Sequence, residues 1–318
     1  MRHPAVGGVI LFARNFSDSA QLRQLSAAIR RTADRSLLIA CDQEGGLVQR
    51  FCGNGFSALP AMGDIANSSA AEALALAAGL VMAAELRAAG VDLSFAPVLD
   101  LAHGRSQVIG RRSLGACPLT AARLALAVAV GMKRAGMKSC GKHFPGHGYA
   151  RANSHTDLPM DGRSFEVIAK KDLTPFSDWV KSDGAALMTA HIIYPKADKQ
   201  AADFPPFWLK KILRRQLRYK GLIISDDLSM AGANIGAIGK RIKAAMRAGC
   251  DLCLVCQNEH VDDALAAAKS KKTVKNIWRN LAPATDNCVS VGDEEYGRAC
   301  EMFTAFASAS TQNRADLP

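Results

Sequence analysis

Short apolar runs alternate along the chain with longer segments in which apolar residues recur at helical spacing. Seven such runs predict strands, and they span residues 6–12, 36–42, 91–100, 138–144, 184–191, 221–227 and 251–256. Helical patterns separate most of them, for example at 69–90 and 119–136. Strands that alternate with helices are typical of successive βα units, so the pattern predicts a parallel sheet in an α/β barrel.

Polar residues stand at or near the ends of five of these runs. They are Asp42, Asp100, Lys142 with His143, His191, and Asp226 with Asp227. The carboxyl ends of parallel barrel strands open onto one face, where active sites of this fold are built. Any one of the carboxylates could instead cap the following helix. Taken together, the strand ends predict a functional site on this face.

The length of 318 residues and the 49% hydrophobic content allow either one barrel or two smaller domains. We expect one catalytic barrel over residues 1–318, with a helical C-terminal segment from about residue 281 onwards. The nine cysteines are scattered except for Cys250, Cys253 and Cys256, whose apolar run favours a buried strand over a metal site, and they suggest no disulfide framework. No apolar stretch is long enough to span a bilayer. These features predict a soluble cytoplasmic protein with reduced thiols and no membrane partner.

The formal net charge of +11 raises nucleic acid as a partner, because phosphate binding needs clustered Lys and Arg. Basic clusters lie at 210–220 and 269–275. In the first cluster, apolar residues from Leu209 to Leu217 keep helical spacing, so its charges fall on the outer face of an amphipathic helix. Neither cluster contains the interleaved aromatic residues that stack on bases. We therefore expect no nucleic-acid partner.

The segment "CGKHFPGHGYARANSHTDLPMD" at 140–161 contains three histidines beside Lys142. Three imidazoles can bind zinc, but Pro145 and Gly146 interrupt any helix between the first two, and an adjacent ammonium repels a cation. The sequence therefore favours no metal. The alternative is a polyhydroxylated ligand and glycosidic chemistry, which needs a proton donor and a carboxylate.

The ordered motifs "DQEGG", "KHFPGHG", "SH" and "SDDLSM" resemble those of the bacterial β-N-acetylglucosaminidases of glycoside hydrolase family three. The similarity extends from about residue 4 to about residue 257 and includes "DLSFAPVLD" and "IGRRS". It implies a (β/α)8 TIM-type barrel and a retaining hydrolase that removes terminal β-linked N-acetylglucosamine from peptidoglycan-derived muropeptides. It also implies a monomer that needs no cofactor and binds a small carbohydrate.

The same resemblance implies roles for individual residues. Asp226 matches the nucleophile, and His155 matches the general acid/base, a suitable choice because imidazole gives and takes protons near neutrality. The expected substrate contacts are Asp42, Arg50, Arg112, Lys142 and His143. His191 either lines the same pocket or is a satisfied core histidine.

The chain departs from the family pattern in three places. Asn153 stands two residues before His155, where the family has an aspartate that can stabilise the protonated imidazole, and Asp157 could partly replace that acid. Leu47 occupies a position that is usually arginine. The family also begins with one more strand and helix, so the expectation lies between a full barrel and one lacking its first βα unit.

Two alternatives to a hydrolase stay open. One is a sugar-binding homologue in which Asn153 has impaired catalysis, and it predicts saturable binding of N-acetylglucosamine without turnover. The other is a phosphorylase in which phosphate replaces part of the acid/base machinery, and it predicts phosphate-dependent product formation.

Overall fold

Seven parallel strands form one sheet in the computed structural model, which describes residues 1–33, 35–151, 159–268 and 280–315. In sheet order they are β1 (Gly8–Leu11), β2 (Leu38–Cys41), β5 (Leu93–Ser94), β6 (Lys138–Phe144), β7 (Ala186–Thr189), β8 (Leu222–Asp227) and β9 (Leu252–Leu254). The other two strands, β3 (Gln43–Gly45) and β4 (Val48–Gln49), form an antiparallel hairpin outside this sheet. Each predicted strand is present, and chain order equals sheet order, which confirms the α/β barrel-type fold.

Helices lie between most of the strands. They are α1 (Ser19–Thr32), α2 (Met62–Ala66), α3 (Ala71–Ala88), α4 (Pro118–Arg134), α5 (Phe165–Lys170), α6 (Leu173–Lys181), α7 (Ile238–Ala248), α8 (Val261–Ala267) and α9 (Glu294–Ala315). A π-helix (Phe207–Gln216) precedes β8. No helix within the described residues has the length and apolar character needed to cross a membrane.

Local chemistry explains several helix boundaries. Asp18 caps α1, because its side chain accepts a hydrogen bond from the backbone N–H of Gln21 at 2.8 Å. Proline begins α4, where its missing N–H is not needed. The π-helix buries Trp208 and Leu209 and exposes Lys210. Its basic cluster therefore faces solvent, as its apolar spacing predicts.

The core has two layers, because successive strand residues point to opposite faces of the sheet. Leu38 and Ala40 of β2 face the inside of the sheet, together with Leu222 and Ile224 of β8. Ile39, between the first two, belongs to the outer layer that packs against the helices. This layering is typical of a packed barrel interior.

The sheet does not close within the described residues. β1 and β9 are its two edges, and a cavity of about 1080 Å³ lies between them, lined by residues of both strands. In a closed barrel an eighth strand would pair at this position. The described part of the chain therefore corresponds to the partial barrel of the sequence-based expectation.

The C-terminal helix packs onto the same core. Phe303 of α9 is buried, and the hydroxyl of Tyr296 donates to Glu85 of α3 at 2.9 Å. Leu281, ahead of α9, is buried in the inner layer. These contacts hold residues 281–308 against the barrel.

Candidate active site

A buried lysine lies at the centre of the predicted site. Lys142 comes from β6, and its Nζ lies 2.8 Å from Asp42 Oδ1 and 2.5 Å from Glu44 Oε1. Burial by itself lowers the pKa of Lys142, but the two carboxylates raise it above its usual value. Burial likewise raises the pKa of Asp42 and of Glu44, and the charge of Lys142 brings both below their usual values. All three groups are therefore charged near neutrality.

Two arginines complete this cluster. Arg112 donates two hydrogen bonds to Glu44, from Nε to Oε2 and from Nη2 to Oε1, each 2.8 Å long. Arg50 donates to Asp42 Oδ2 at 3.2 Å. Paired planar groups of this kind hold their geometry well. Asp42 is thus fixed from two sides while remaining partly exposed.

The hairpin between β3 and β4 explains the two glycines of "DQEGG". Gly45 and Gly46 have φ values of +100° and +59°. A side chain at Gly45 would also place its Cβ 2.6 Å from the carbonyl oxygen of Pro60. Glycine is required there because other residues rarely adopt this backbone conformation. The tight turn positions Glu44 beside Lys142.

Asp100 organises two of the histidines. Its Oδ2 lies 2.7 Å from His143 Nδ1, and its carboxylate accepts the backbone N–H groups of His143 at 3.2 Å and of His147 at 2.7 Å. Burial raises the pKa of Asp100, but its contact with His143 brings it below its usual value. Burial also lowers the pKa of His147 to about 4, so this imidazole is neutral near pH 7.

The two acids of "SDDLSM" have different surroundings. Asp227 Oδ1 accepts hydrogen bonds from the backbone N–H of Ser229 at 2.9 Å and of Cys256 at 3.0 Å, so it joins the turn after β8 to the segment after β9. Asp226 Oδ1 accepts the N–H of Asp227 at 2.8 Å, and both residues are partly exposed. Asp227 therefore takes the structural role, and Asp226 is accessible for chemistry.

Positive charges surround Asp226. Burial raises the pKa of Asp226, but His191, His143 and Lys142 bring it below its usual value. His191 Nδ1 lies 3.0 Å from Asp203 Oδ2, and its Nε2 lies 2.9 Å from the carbonyl oxygen of Asp227. Although burial lowers the pKa of His191, Asp203 raises it to about 9. The imidazolium therefore keeps Asp226 ionised at neutral pH.

We expect Asp203→Asn to reduce stability most below pH 6.5. The folded-state pKa of His191 is raised above its unfolded value, so its stabilising effect is complete below about pH 6.5 and is lost as pH rises through about 9. Urea denaturation of both proteins between pH 6 and 9 measures this, and the stability difference should shrink as pH increases. Asp178→Asn, at an exposed ion pair with Lys181, is the control and should show no such trend. A difference that is constant over this range would contradict the assignment.

The structure brings most of the predicted site residues together. Asp42, Arg50, Arg112 and Lys142 form one ion-paired cluster with Glu44, while His143, the next residue after Lys142, pairs with Asp100. Lys142 and His143 also lower the pKa of Asp226. His191 is fully buried and pairs with Asp203, so it is a core histidine and does not line the pocket. Leu47 is 87% exposed and belongs to the surface. Residues Asn153, His155 and Asp157 lie outside the described residues.

Sequence reasoning did not assign roles to Glu44 and Asp203. One feature of the sequence could have identified Glu44 as a site residue. It lies two residues after Asp42 in an extended segment, so the two side chains can point in a similar direction. No sequence pattern identifies Asp203, because it lies in an irregular connection after β7, twelve residues after His191. The arrangement can hold a polyhydroxylated ligand with fixed donors and acceptors while presenting an ionised carboxylate to it.

Comparisons with known proteins identify relatives of the whole chain. The model of the glycosyl hydrolase family 3 N-terminal domain matches residues 1–282. A beta-hexosaminidase of Pseudomonas aeruginosa is 53% identical over 269 residues, covering 84% of this chain and 80% of its own length. One from Neisseria meningitidis is 50% identical over 269 residues, covering 82% of this chain and 74% of its own length. NagZ from Neisseria gonorrhoeae, solved with N-trifluoroacetyl-D-glucosamine, superposes with a TM-score of 0.88 at 42% identity, covering 96% of this chain and 92% of NagZ.

Proposed function

This chain belongs to glycosyl hydrolase family 3, and we propose that it is a β-N-acetylhexosaminidase that removes terminal β-linked N-acetylglucosamine with retention of configuration. One observation carries the proposal. Asp226 is a partly exposed, ionised carboxylate at the end of β8, next to a rigid cluster of sugar-binding donors and acceptors. A retaining glycosidase needs such a carboxylate to attack the anomeric carbon.

Asp226 is the nucleophile in this proposal. The lowered pKa of Asp226 keeps this carboxylate ionised across the neutral range. His191, which Asp203 keeps protonated, contributes to that lowered pKa from the core and does not occupy the pocket. The carboxylate would attack the anomeric carbon and break the glycosidic bond, and the departing oxygen would take a proton from His155. Water, giving its proton back to His155, would then displace the carboxylate and release the sugar. Splitting the reaction into two displacements explains the retained configuration.

The cluster around Lys142 recognises the sugar hydroxyls. Asp42 is held by Lys142 and Arg50 yet remains partly exposed, so its oxygens can accept further hydrogen bonds from hydroxyl groups. His143 is oriented by Asp100 through Nδ1, so its Nε2 is the ring atom left to contact substrate. Because these side chains are fixed before substrate arrives, little conformational entropy is lost on binding.

His155 is the proton donor and acceptor in this proposal, and Asn153 is its neighbour in place of the family's aspartate. A muropeptide substrate, a monomeric enzyme and a cytoplasmic location belong to the same proposal, and they rest on the resemblance to the family. In NagZ, the bound N-trifluoroacetyl-D-glucosamine is a derivative of the sugar proposed here.

The test is an assay on a chromogenic β-N-acetylglucosaminide, with and without inorganic phosphate, with nuclear magnetic resonance detection of the first sugar product. The proposal expects free β-N-acetylglucosamine at a rate that does not depend on phosphate. A sugar 1-phosphate would identify a phosphorylase. Saturable sugar binding without turnover would identify a binding homologue, and both outcomes overturn the proposal.

We expect Asn153→Asp to increase kcat/KM by about tenfold or more, because general acid/base catalysis contributes about 10²- to 10⁴-fold and asparagine removes part of it. The carboxylate would stabilise the imidazolium of His155, which asparagine orients without neutralising. The gain should be larger for substrates with poor leaving groups, which depend most on protonation. Parallel assays on an alkyl and an activated aryl glycoside measure it. An unchanged rate on both would remove the proton-carrier role from His155.

A further inference from the structure

Gln43 lies between two acids of the candidate site, and its side chain points away from them. Asp42 and Glu44 both contact the ammonium of Lys142. Successive residues of an extended strand face opposite sides, so the side chain of Gln43 lies on the other face of β3. Gln43 is buried, and its amide therefore needs hydrogen-bond partners inside the protein.

The amide of Gln43 binds the backbone of one residue twice. Its Nε2 donates to the carbonyl oxygen of Phe51 at 2.7 Å, and its Oε1 accepts from the backbone N–H of Phe51 at 3.1 Å. A side-chain amide carries the same donor and acceptor as a peptide group. Strand β4 ends at Gln49, which pairs with Gln43 in the hairpin. The Gln43 amide thus holds the chain two residues beyond the end of β4.

Both ends of this contact are anchored. The backbone N–H of Gln43 donates to Ser94 Oγ of β5 at 3.0 Å, and Ser94 Oγ donates to the carbonyl oxygen of Gln43 at 2.6 Å. Phe51 is buried, and its ring centre lies 5.2 Å from that of Phe16 and 5.5 Å from that of Phe56. Gln43 therefore links the backbone at Phe51 to the parallel sheet.

Arg50 directly precedes Phe51 and is one of the expected substrate contacts. Its Nη2 donates to Asp42 Oδ2 at 3.2 Å, and its side chain is 32% exposed. A partly exposed ion pair contributes little by itself, because two side chains lose conformational freedom when they form it. The geometry of this pair therefore depends on how firmly the backbone at Arg50 is held.

We infer that Gln43 is a positioning residue for sugar binding, because its amide fixes the backbone at Phe51 and thereby holds Arg50 against Asp42. This inference rests on the proposed function, and it adds a buried residue whose effect on the sugar is transmitted through Arg50. A sugar contact of Arg50 would exist in the bound substrate as well as in the transition state. Its loss should therefore raise KM rather than lower kcat.

The experiment is a double-mutant cycle between Gln43→Met and Arg50→Met. Methionine keeps the length of glutamine but removes both hydrogen bonds to Phe51, and Arg50→Met removes the guanidinium. Wild type, both single variants and the double variant are assayed on a chromogenic β-N-acetylglucosaminide, and the Tm of each is recorded. Ser57→Ala is the matched control, because the Ser57 hydroxyl holds a later part of the same loop by donating to Glu85 at 2.6 Å.

Gln43→Met should raise KM by about fivefold to tenfold and keep kcat within about twofold, since a charge-assisted hydrogen bond is worth about tenfold or more in affinity. In the Arg50→Met background the same substitution should raise KM by less than about twofold, because the group that it positions is absent. Ser57→Ala should lower Tm and leave KM within about twofold. Equal KM factors in the two backgrounds, or a fall in kcat as large as the rise in KM, would overturn the inference.

A second variant and a second measurement cover the possible failures. If Gln43→Met does not fold, Gln43→Asn replaces it in the cycle, because its amide is one methylene too short to keep both bonds to Phe51. If wild type hydrolyses no substrate, the proposed function fails, and calorimetry with N-acetylglucosamine repeats the cycle in Kd. Weaker binding in the Gln43 variant that disappears without Arg50 would support the inference. An unchanged Kd, or no sugar binding by wild type, would overturn it.

Discussion

Asp226→Asn should lower kcat on any β-N-acetylglucosaminide by about 10⁴- to 10⁶-fold, the range seen when a nucleophile or its partner is removed. The amide has nearly the same shape as the carboxylate but cannot attack the anomeric carbon. Sugar affinity should stay within about tenfold of wild type, because the hydrogen bonds of Asp42, Lys142 and His143 do not involve Asp226. Single-turnover kinetics and equilibrium binding of N-acetylglucosamine measure the two effects separately.

Asp227→Asn is the matched control for this variant. Asp227 accepts hydrogen bonds from Ser229 and Cys256, and an asparagine oxygen can still accept them. This control should lose some thermal stability and retain most of its kcat. If both variants lose activity equally, or if Asp226→Asn loses binding as strongly as turnover, Asp226 is a structural residue and the nucleophile is elsewhere.

Lys142→Met should reduce the free energy of unfolding by about 3 to 5 kcal/mol at neutral pH, the cost of removing one partner from a buried ion pair. Methionine retains the length of the side chain but leaves Asp42 and Glu44 without their shared cation. The pKa values of both acids are lowered in the folded protein, so they stabilise it above their unfolded pKa values, and this contribution is lost as pH falls through the folded values. The destabilisation should therefore be smaller in acid, where the acids of the variant are protonated.

Urea denaturation at neutral and at acidic pH measures this effect. Lys138→Met is the matched control, because Lys138 starts the same strand and is exposed, and it should change stability by less than about 0.5 kcal/mol. A loss no larger than that of the control would show that Lys142 is not the charge that holds the two acids.

Lys142→Met and Asp226→Asn probe two different parts of the candidate site. Lys142 and its partners hold fixed charges that are neutralised internally, so they position ligand groups without changing protonation state. Asp226 is held ionised by charges behind it and stays partly exposed. Stability therefore depends mainly on the first group, whereas the chemical step depends on the second.

Local periodicity was sufficient to predict the strands and most helices of this protein. Alternation along a strand and 3.6-residue spacing along a helix are properties of neighbouring residues, so β2, β8 and α4 could be recognised from the chain itself. The sequence also predicted that Asp226, Lys142 and Asp42 lie on one face, because the carboxyl ends of parallel strands point in the same direction. The resemblance then implied roles for them, and those roles stay predictions.

Tertiary structure alone decided which groups pair with which. Lys142 and Asp42 are 100 residues apart, and Arg112 meets Glu44 across 68 residues, so no local pattern encodes either contact. Asp203 follows no period and becomes important only because folding buries it against His191, where a lone charge is unstable without its partner. Sequence determined which residues could meet at this face, and three-dimensional packing decided their partners, because burial and distance set the strength of each charge interaction.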